Sequence, residues 1–292
     1  MSFVHTALAA LLIVGAPSLS QAAPAWQSAR LSEPPESAPE PPDQSDTGQQ
    51  NMLDTSAGLD ALVTDRPDAT ESPETIAAGR FQLETGYTFT SLESVRTHTL
   101  GEFLLRVGVH DNIELRFGLN SYALVRGGAV TADGLENFGV GAKFRLLSGG
   151  GVGHARPTIA ILVGTSIPTG SDEIDASSAR PEARIAAGWD LSEVVSVSTN
   201  LIWSSIKDDA LDERFSEWGV SLALGYVLSD RWGAYLEYFG AYPSGGRDTE
   251  DFVNAGLTYL ISNDLQLDAR VGYGLNDRDD DFFVGVGTAV RW

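Results

Sequence analysis

From Arg80 to Trp292, apolar residues return at every second position in run after run, and this period constrains the fold more than any other feature of the chain. A 3.6-residue period would lay an apolar stripe along helices, whereas a period of two puts alternate side chains on opposite faces of strands. Phe81, Leu83, Tyr87 and Phe89 oppose Gln82, Glu84, Gly86 and Thr88, and Phe103, Leu105, Val107 and Val109 oppose Glu102, Arg106 and Gly108. Ile113, Leu115, Phe117 and Leu119 then oppose Glu114, Arg116, Gly118 and Asn120, and Phe138, Val140, Ala142, Phe144 and Leu146 oppose Gly139, Gly141, Lys143 and Arg145. Eight further runs follow, centred near Ile161, Ala187, Val197, Leu222, Leu236, Leu257, Val271 and Val286. The expectation is an all-β fold, a closed antiparallel transmembrane β-barrel of about 12 strands over residues 80–292. An even number returns both ends to one side of the membrane, and runs of about 10 to 13 residues suffice for a tilted strand to cross.

Connection lengths alternate as well. Short turns fall at His110-Asp111-Asn112, Asp190 to Glu193, Ser229-Asp230 and Ser262-Asn263-Asp264, with a glycine-rich one from Gly149 to Ala155. Between them lie polar loops at Ser91–Thr97, Ser121–Leu135, Pro168–Arg180, Ser205–Glu217, Tyr242–Glu250 and Asn276–Asp281. Short periplasmic turns and longer external loops are the asymmetry of outer-membrane barrels. Trp189, Trp203, Trp218, Trp232, Tyr238 and Tyr242 fall near strand ends, where amphipathic rings favour the membrane interface. The last run closes on Val290-Arg291-Trp292, a terminal aromatic of the kind the barrel assembly machinery reads. The expected location is the outer membrane of a Gram-negative cell, with outer-membrane lipid and lipopolysaccharide as surroundings and a monomer as the assembly.

The N-terminal quarter reads differently. Ala7 to Gly15 is a short apolar run followed by small residues, which predicts a signal peptide over residues 1–23, cut near Ala22 or Ala23. Residues 24–61 are rich in Pro, Glu, Ser and Gln and too poor in large apolar groups to offset chain entropy, so a disordered periplasmic linker is expected. Beyond the first twenty residues no stretch has the length and apolarity of a membrane helix. Mean hydropathy is only −0.07, as expected where every second residue is polar. The absence of cysteine excludes disulfides, thiol nucleophiles and zinc–thiolate sites. A net charge of −21 argues against a nucleic-acid partner.

Just before the first strand the chain reads Thr64-Asp65-Arg66-Pro67-Asp68-Ala69-Thr70-Glu71-Ser72-Pro73, followed by Gly79-Arg80-Phe81-Gln82-Leu83-Glu84. This stretch resembles the outer-membrane transporter family named for the meta-pathway of phenol degradation, whose members carry a similar charged, Pro-flanked segment leading into a Gln-Leu-Glu strand. Ala69 stands where an aromatic is the family's habit. The resemblance implies a barrel described as a channel for small hydrophobic or aromatic solutes. The charged segment, residues 62–79, carries Asp65, Arg66, Asp68, Glu71 and Glu74, and Pro67 and Pro73 keep it extended. Three roles are open to it: a latch or plug in the barrel mouth, a direct contact to solute, or a periplasmic docking signal.

On the inward parity, Arg106, Arg116, Lys143, Arg145, Arg184, Arg270 and Arg291 stand against Glu84, Glu102, Glu114, Glu237 and Asp268. Twelve strands lie between a barrel filled by side chains and one open to water, so these charges either hold the barrel's shape or line a selective constriction. A channel passing small solutes through a charge-lined lumen is one reading, and a closed structural or binding barrel acting through its loops and linker is the other. Carboxylates gathered around Asp172, Asp208 and Asp277 could collect a divalent cation, but Asn276–Asp281 lacks the central glycine and distal Glu of an EF-hand, so solvated loops and no metal or cofactor are expected. His98, read on the inward parity, has no serine partner, and Ser204-Ser205-Ile206-Lys207 sits at a strand end rather than on a helix. No catalytic constellation emerges, and an enzyme is not expected.

Overall fold

The computed structural model describes residues 61–92, 95–127, 130–174, 178–208, 211–276 and 281–292, so the expected signal peptide and all of the linker but Ala61 lie outside the described residues. The strands are β1 (Phe81–Leu92), β2 (Val95–His110), β3 (Ile113–Gly118), β4 (Tyr122–Gly127), β5 (Val130–Leu135), β6 (Phe138–Leu147) and β7 (Thr158–Ile167). They continue as β8 (Arg180–Asp190), β9 (Val195–Asp208), β10 (Glu213–Val227), β11 (Trp232–Pro243), β12 (Glu250–Ser262), β13 (Leu265–Gly274) and β14 (Phe282–Arg291). Neighbours pair antiparallel throughout, and the sheet closes where β1, already paired with β2, runs beside β14 from Gln82↔Arg291 to Ser91↔Phe282. Closure pairs the strands on both sides except at β5, whose outer edge meets the following connection through Ser171 N–H to Leu135 O (2.8 Å); in the hydrocarbon layer an unsatisfied backbone group would cost several kcal/mol.

Fourteen strands make twelve staves. β3 and β4 follow one another along β2, from Leu104↔Gly118 to Leu100↔Tyr122, and form one interrupted stave; β5 and β6 form the next. The interruption is held by Leu119 N–H donating to Phe103 O (3.0 Å), Glu136 N–H to Ser121 O (2.8 Å) and Asn120 Nδ2 to Glu136 O (2.6 Å). The expectation of a loop over Ser121–Leu135 is therefore corrected, because most of that stretch is the β4–β5 hairpin, which pairs with the outer part of β2. Its Arg126, Thr131, Asp133 and Gly134 mask the alternation. Likewise β9 and β10 run on to Asp208 and back from Glu213, leaving little of the loop expected over Ser205–Glu217.

A bulge between β1 and β2 has wider consequences. Register shifts between Glu84 and Gly86, opposite Gly101 (φ 102°) and Glu102 (φ 37°). The extra residue reverses parity along β2: Val95, Thr97 and Thr99 face inward before it, and Leu104 and Arg106 after it. His98 therefore faces outward, not inward, where its Nδ1 lies 2.8 Å from the Tyr87 hydroxyl and its ring packs against Phe89.

Outward positions carry exposed Val163, Ile185, Leu201, Leu222, Leu236, Leu257, Val271 and Val286, an apolar belt suited to lipid. Aromatics mark its two rims. Phe81 stacks on Trp292 (6.1 Å) and Trp232 meets Tyr259 (4.7 Å) at the periplasmic end, while Trp203, Trp218 and Tyr242 are cross-strand neighbours towards the external end.

Candidate functional site

The inward face could have enclosed water, but the chain's own charged segment lies inside it. Leu62, Thr64, Asp65, Arg66, Asp68, Thr70, Glu71 and Ser72 are all at most 1% exposed. The segment enters beside the β12–β13 turn, where Leu62 N–H donates to Asn263 O (2.7 Å) and Ala61 and Leu62 pack on Leu260 and Ala289. It crosses to β10 and β11 at Thr70, whose hydroxyl reaches Ser221 Oγ (2.9 Å) and Glu237 Oε1 (2.5 Å). It returns past β9 at Glu71 to the β2–β3 turn, where Thr75 Oγ1 donates to Asp111 O (2.6 Å).

Wall side chains read the segment's backbone as well as its charges. Asn200 accepts from Glu71 N–H (2.7 Å) and donates to Glu71 O (2.9 Å). Glu84 accepts from Asp65 N–H (2.9 Å), Glu237 from Ala69 N–H (2.9 Å) and Glu114 from Ile76 N–H (3.1 Å). Gln82 and Arg106 both donate to Val63 O at 2.9 Å, and Arg270 donates to Pro67 O at 2.9 Å. These bonds satisfy backbone groups that would otherwise be buried without partners.

The charges sort by sign. Asp65 meets Arg106 (3.3 Å), Lys143 (3.2 Å) and Arg116, and Glu71 meets Arg116 (3.0 Å), Lys143 (3.4 Å) and Arg184 (3.9 Å). Glu114 braces the same cations, at 2.8 Å from Arg106 and 2.7 Å from Arg116. Arg66, the segment's cation, goes instead to Glu102 (2.5 Å) and Asp268 (3.4 Å). Its guanidinium sits in a slot made by Gly86 and Gly287, paired across β1 and β14; a Cβ at Gly287 would come within 2.3 Å of Arg66 Nε. At Gly108 a Cβ would come within 2.0 Å of Ala77 O, so glycine there leaves room for the segment's exit. Glu102 adopts its unfavourable positive φ at the position that meets Arg66.

Burial pushes Asp65, Asp68 and Glu71 upward, and the surroundings decide the outcome. Arg106, Lys143 and Arg116 outweigh it for Asp65, which is held well below the usual carboxylate range. Glu71, with cations but also Asp65 nearby, is pushed up to about 7. Asp68 is driven well up by burial and by the Glu237 carboxylate, and neither of its side-chain oxygens has a hydrogen-bond partner.

Of the residues expected inside, Arg106, Arg116, Lys143, Arg184, Arg270, Glu84, Glu102, Glu114, Glu237 and Asp268 lie around the segment. Arg291 does not join them, and Arg145 meets the segment only at its exit. Arg145 pairs with Glu74 (2.6 Å) and Arg291 with Asp264 (2.7 Å), both at the periplasmic rim. Sequence reasoning missed Gln82, Asn200, Gln266 and the slot glycines. Their inward parity was legible, but nothing said that backbone would lie against them. It also missed an apolar level towards the external end, where Phe239, Phe252 and Phe283 face inward with ring centroids 5.2–6.2 Å apart. Leu92, Val95, Ala123, Val125, Ala132 and Ile174 complete that cluster, and Arg270 lies 5.4 Å over the Phe283 ring. Tyr238-Phe239 and Phe282-Phe283 were the available signal, since adjacent aromatics on a strand must place one ring inside.

A model of the family described as "Putative MetA-pathway of phenol degradation" matches residues 64–292, beginning within the plugging segment and ending at the last residue. The chain belongs to this family. Among solved structures, the COG4313 outer membrane channel from Pseudomonas putida F1 shares its fold with a TM-score of 0.57 and 15% identity, over 76% of this chain and 98% of that one. The NanC porin follows with a TM-score of 0.51 and 10% identity, over 72% of this chain and 98% of its own. No curated protein matches the chain in sequence. Family membership and the closed barrel with its apolar belt place the chain in the outer membrane.

Proposed function

We propose that the protein is a gated passive channel, closed by its own residues 62–76 and opened when that segment leaves the lumen. The observation that carries this reading is the burial of Asp65, Arg66, Asp68, Thr70 and Glu71 against a wall whose charges complement the segment. A purely structural barrel would be served by wall-to-wall pairs; here Asp65, Arg66 and Glu71 stand between wall groups and supply contacts those groups would otherwise lack. The solute class follows from the external level, where three inward phenylalanines favour small solutes of low polarity bearing an aromatic ring. The charged lumen beneath then serves as gate rather than as recognition site.

The cysteine-free chain permits a direct test. Thr70 and Ser221 touch through their hydroxyls at 2.9 Å, so Thr70→Cys with Ser221→Cys places two thiols in bridging range. In planar bilayers the oxidised protein should stay silent, and reduction should restore opening events. Equal conductance in both states would refute gating by the segment.

A further inference from the structure

On the outer wall at the external end, two arginines stand directly opposite one another. Arg96 of β2 pairs across the sheet with Arg126 of β4, and both are exposed. Side chains at such positions lie about 5 Å apart at their Cβ atoms, and like charges there repel. The β1–β2 bulge is what turns Arg96 outward, since it reverses the parity of everything in β2 before Gly101. The Arg96 side chain has no hydrogen bond or ion pair among the described residues. Arg126 donates to Val125 O and Ala132 O and lies 3.4 Å from Asp133, whose other oxygen accepts from the Tyr122 hydroxyl. Other cations of this end are engaged: Arg180 with Glu217, Lys207 with Asp212, and Arg247 with Asp208 and Glu213. In a chain of net charge −21, two outward arginines side by side with a single carboxylate, Asp133, between them are an exception.

Its height says what it meets. Phe81 marks the periplasmic rim, and Ser91, the partner of Arg96, lies ten residues along the same strand. At about 3.3 Å per residue and a tilt of about 40°, that spans about 25 Å, the height of the apolar belt of such barrels. Below the pair the wall carries His98, Phe89, Tyr87 and Leu100; the pair sits where acyl chains give way to headgroups.

We propose that Arg96 and Arg126 form a binding site for a phosphate group of the outer leaflet's phosphorylated glycolipid, the lipid A portion of lipopolysaccharide. Arginine suits this ligand because its planar fork bonds phosphate oxygens two at a time, and a dianion between two guanidinium groups converts their repulsion into attraction. The site is independent of the gate, because no residue of the lumen contributes to it.

The test uses the purified full-length protein in detergent, titrated with bisphosphorylated lipid A, with enzymatically dephosphorylated lipid A, and with inorganic phosphate, reading bound lipid by native mass spectrometry. Arg96→Gln is the informative variant, since Arg96 holds nothing else in place; Arg231→Gln, at the periplasmic β10–β11 turn, is the control. Bisphosphorylated lipid A should bind, and Arg96→Gln should weaken it by about tenfold or more while Arg231→Gln leaves it unchanged. Equal binding of dephosphorylated lipid A, or an unchanged affinity in Arg96→Gln, would overturn the proposal. Competition by millimolar inorganic phosphate would also overturn it, by showing a simple anion site rather than a lipid site.

Discussion

Replacing Arg66 by methionine removes one charge from the gate while keeping a long apolar side chain in the glycine slot. In the closed protein Glu102 and Asp268 are 5% and 0% exposed at their side chains, and both look to Arg66. Glu102 keeps a second, looser partner in Arg270 at 3.6 Å, so the loss falls hardest on Asp268. Stranding a buried charge by deleting its partner costs about 3–5 kcal/mol, and the retained Arg270 contact argues for the lower end. With the segment withdrawn both carboxylates meet water, so the penalty applies to the closed state alone. At about 1.4 kcal/mol per tenfold, the closed-to-open ratio should fall by about two orders of magnitude. Open probability in planar bilayers is the readout, with heat-modifiable migration confirming that the barrel is folded. Adding Asp268→Asn to the same variant should restore most of the closure, because Glu102 keeps Arg270 and no carboxylate is then left stranded. If Arg66→Met stays as closed as the parent while the reduced Thr70→Cys/Ser221→Cys protein conducts, Arg66 is no latch.

The slot itself can be filled. Gly287→Ala should displace the Arg66 guanidinium and lower the closed-to-open ratio by about 5- to 150-fold, the effect of about 1–3 kcal/mol of overpacking, whereas Gly118→Ala, whose Cβ finds its nearest neighbour at 3.6 Å, should change nothing. Asp68 makes the gate pH-dependent: it is neutral when docked and titrates near 4 when freed, so closure is firmest below about pH 4 and weakens as pH rises towards its raised value, by up to tenfold per pH unit. Glu71, pushed up to about 7, acts in the same direction. Asp68→Asn should therefore be harder to open at pH 8 than the parent and little different at pH 4, as single-channel recordings across that range will show. Phe283→Ala should weaken current block by a neutral single-ring alcohol by about 2- to 10-fold, the value of one aromatic contact; unchanged block would remove the phenylalanine cluster from the solute path.

The barrel was legible because its physics is local. A strand that faces lipid on one side and lumen on the other must alternate, and it does so in stretches such as Phe103–Val109 and Trp218–Tyr226 without reference to anything distant. What escaped was set by pairing. The β4–β5 hairpin continues β2 towards the external end, where inward Ala123, Val125 and Ala132 join the apolar cluster and leave no polar parity to read, so Tyr122–Leu135 read as a loop. The bulge at Gly101 and Glu102 leaves no mark on composition, yet it moves His98 and Arg96 from one face of the wall to the other.

The gate shows the same division. Which side chains face inward followed from parity, and the charged character of Asp65–Glu71 was plain, but nothing local says that one will enter the other. Charge arithmetic supplies the missing link. At the segment's level the wall offers Arg106, Arg116, Lys143, Arg184 and Arg270 against Glu84, Glu102, Glu114, Glu237 and Asp268, an even balance. Those charges are unevenly placed, with Arg106, Arg116, Lys143 and Arg184 on β2, β3, β6 and β8 outnumbering Glu84 and Glu114 beside them, and Glu102, Glu237 and Asp268 on β2, β11 and β13 in turn outnumbering Arg270. Asp65 and Glu71 fall on the basic side and Arg66 on the acidic one, which fixes the segment's register in the lumen. Asp68 is the exception, an acid delivered to the acidic side beside Glu237 with no cation bonded to it. A plug matched at every point would never leave. One mismatched carboxylate, neutral only while it stays protonated, opposes the docking energy of the rest and keeps the closed state within reach of opening.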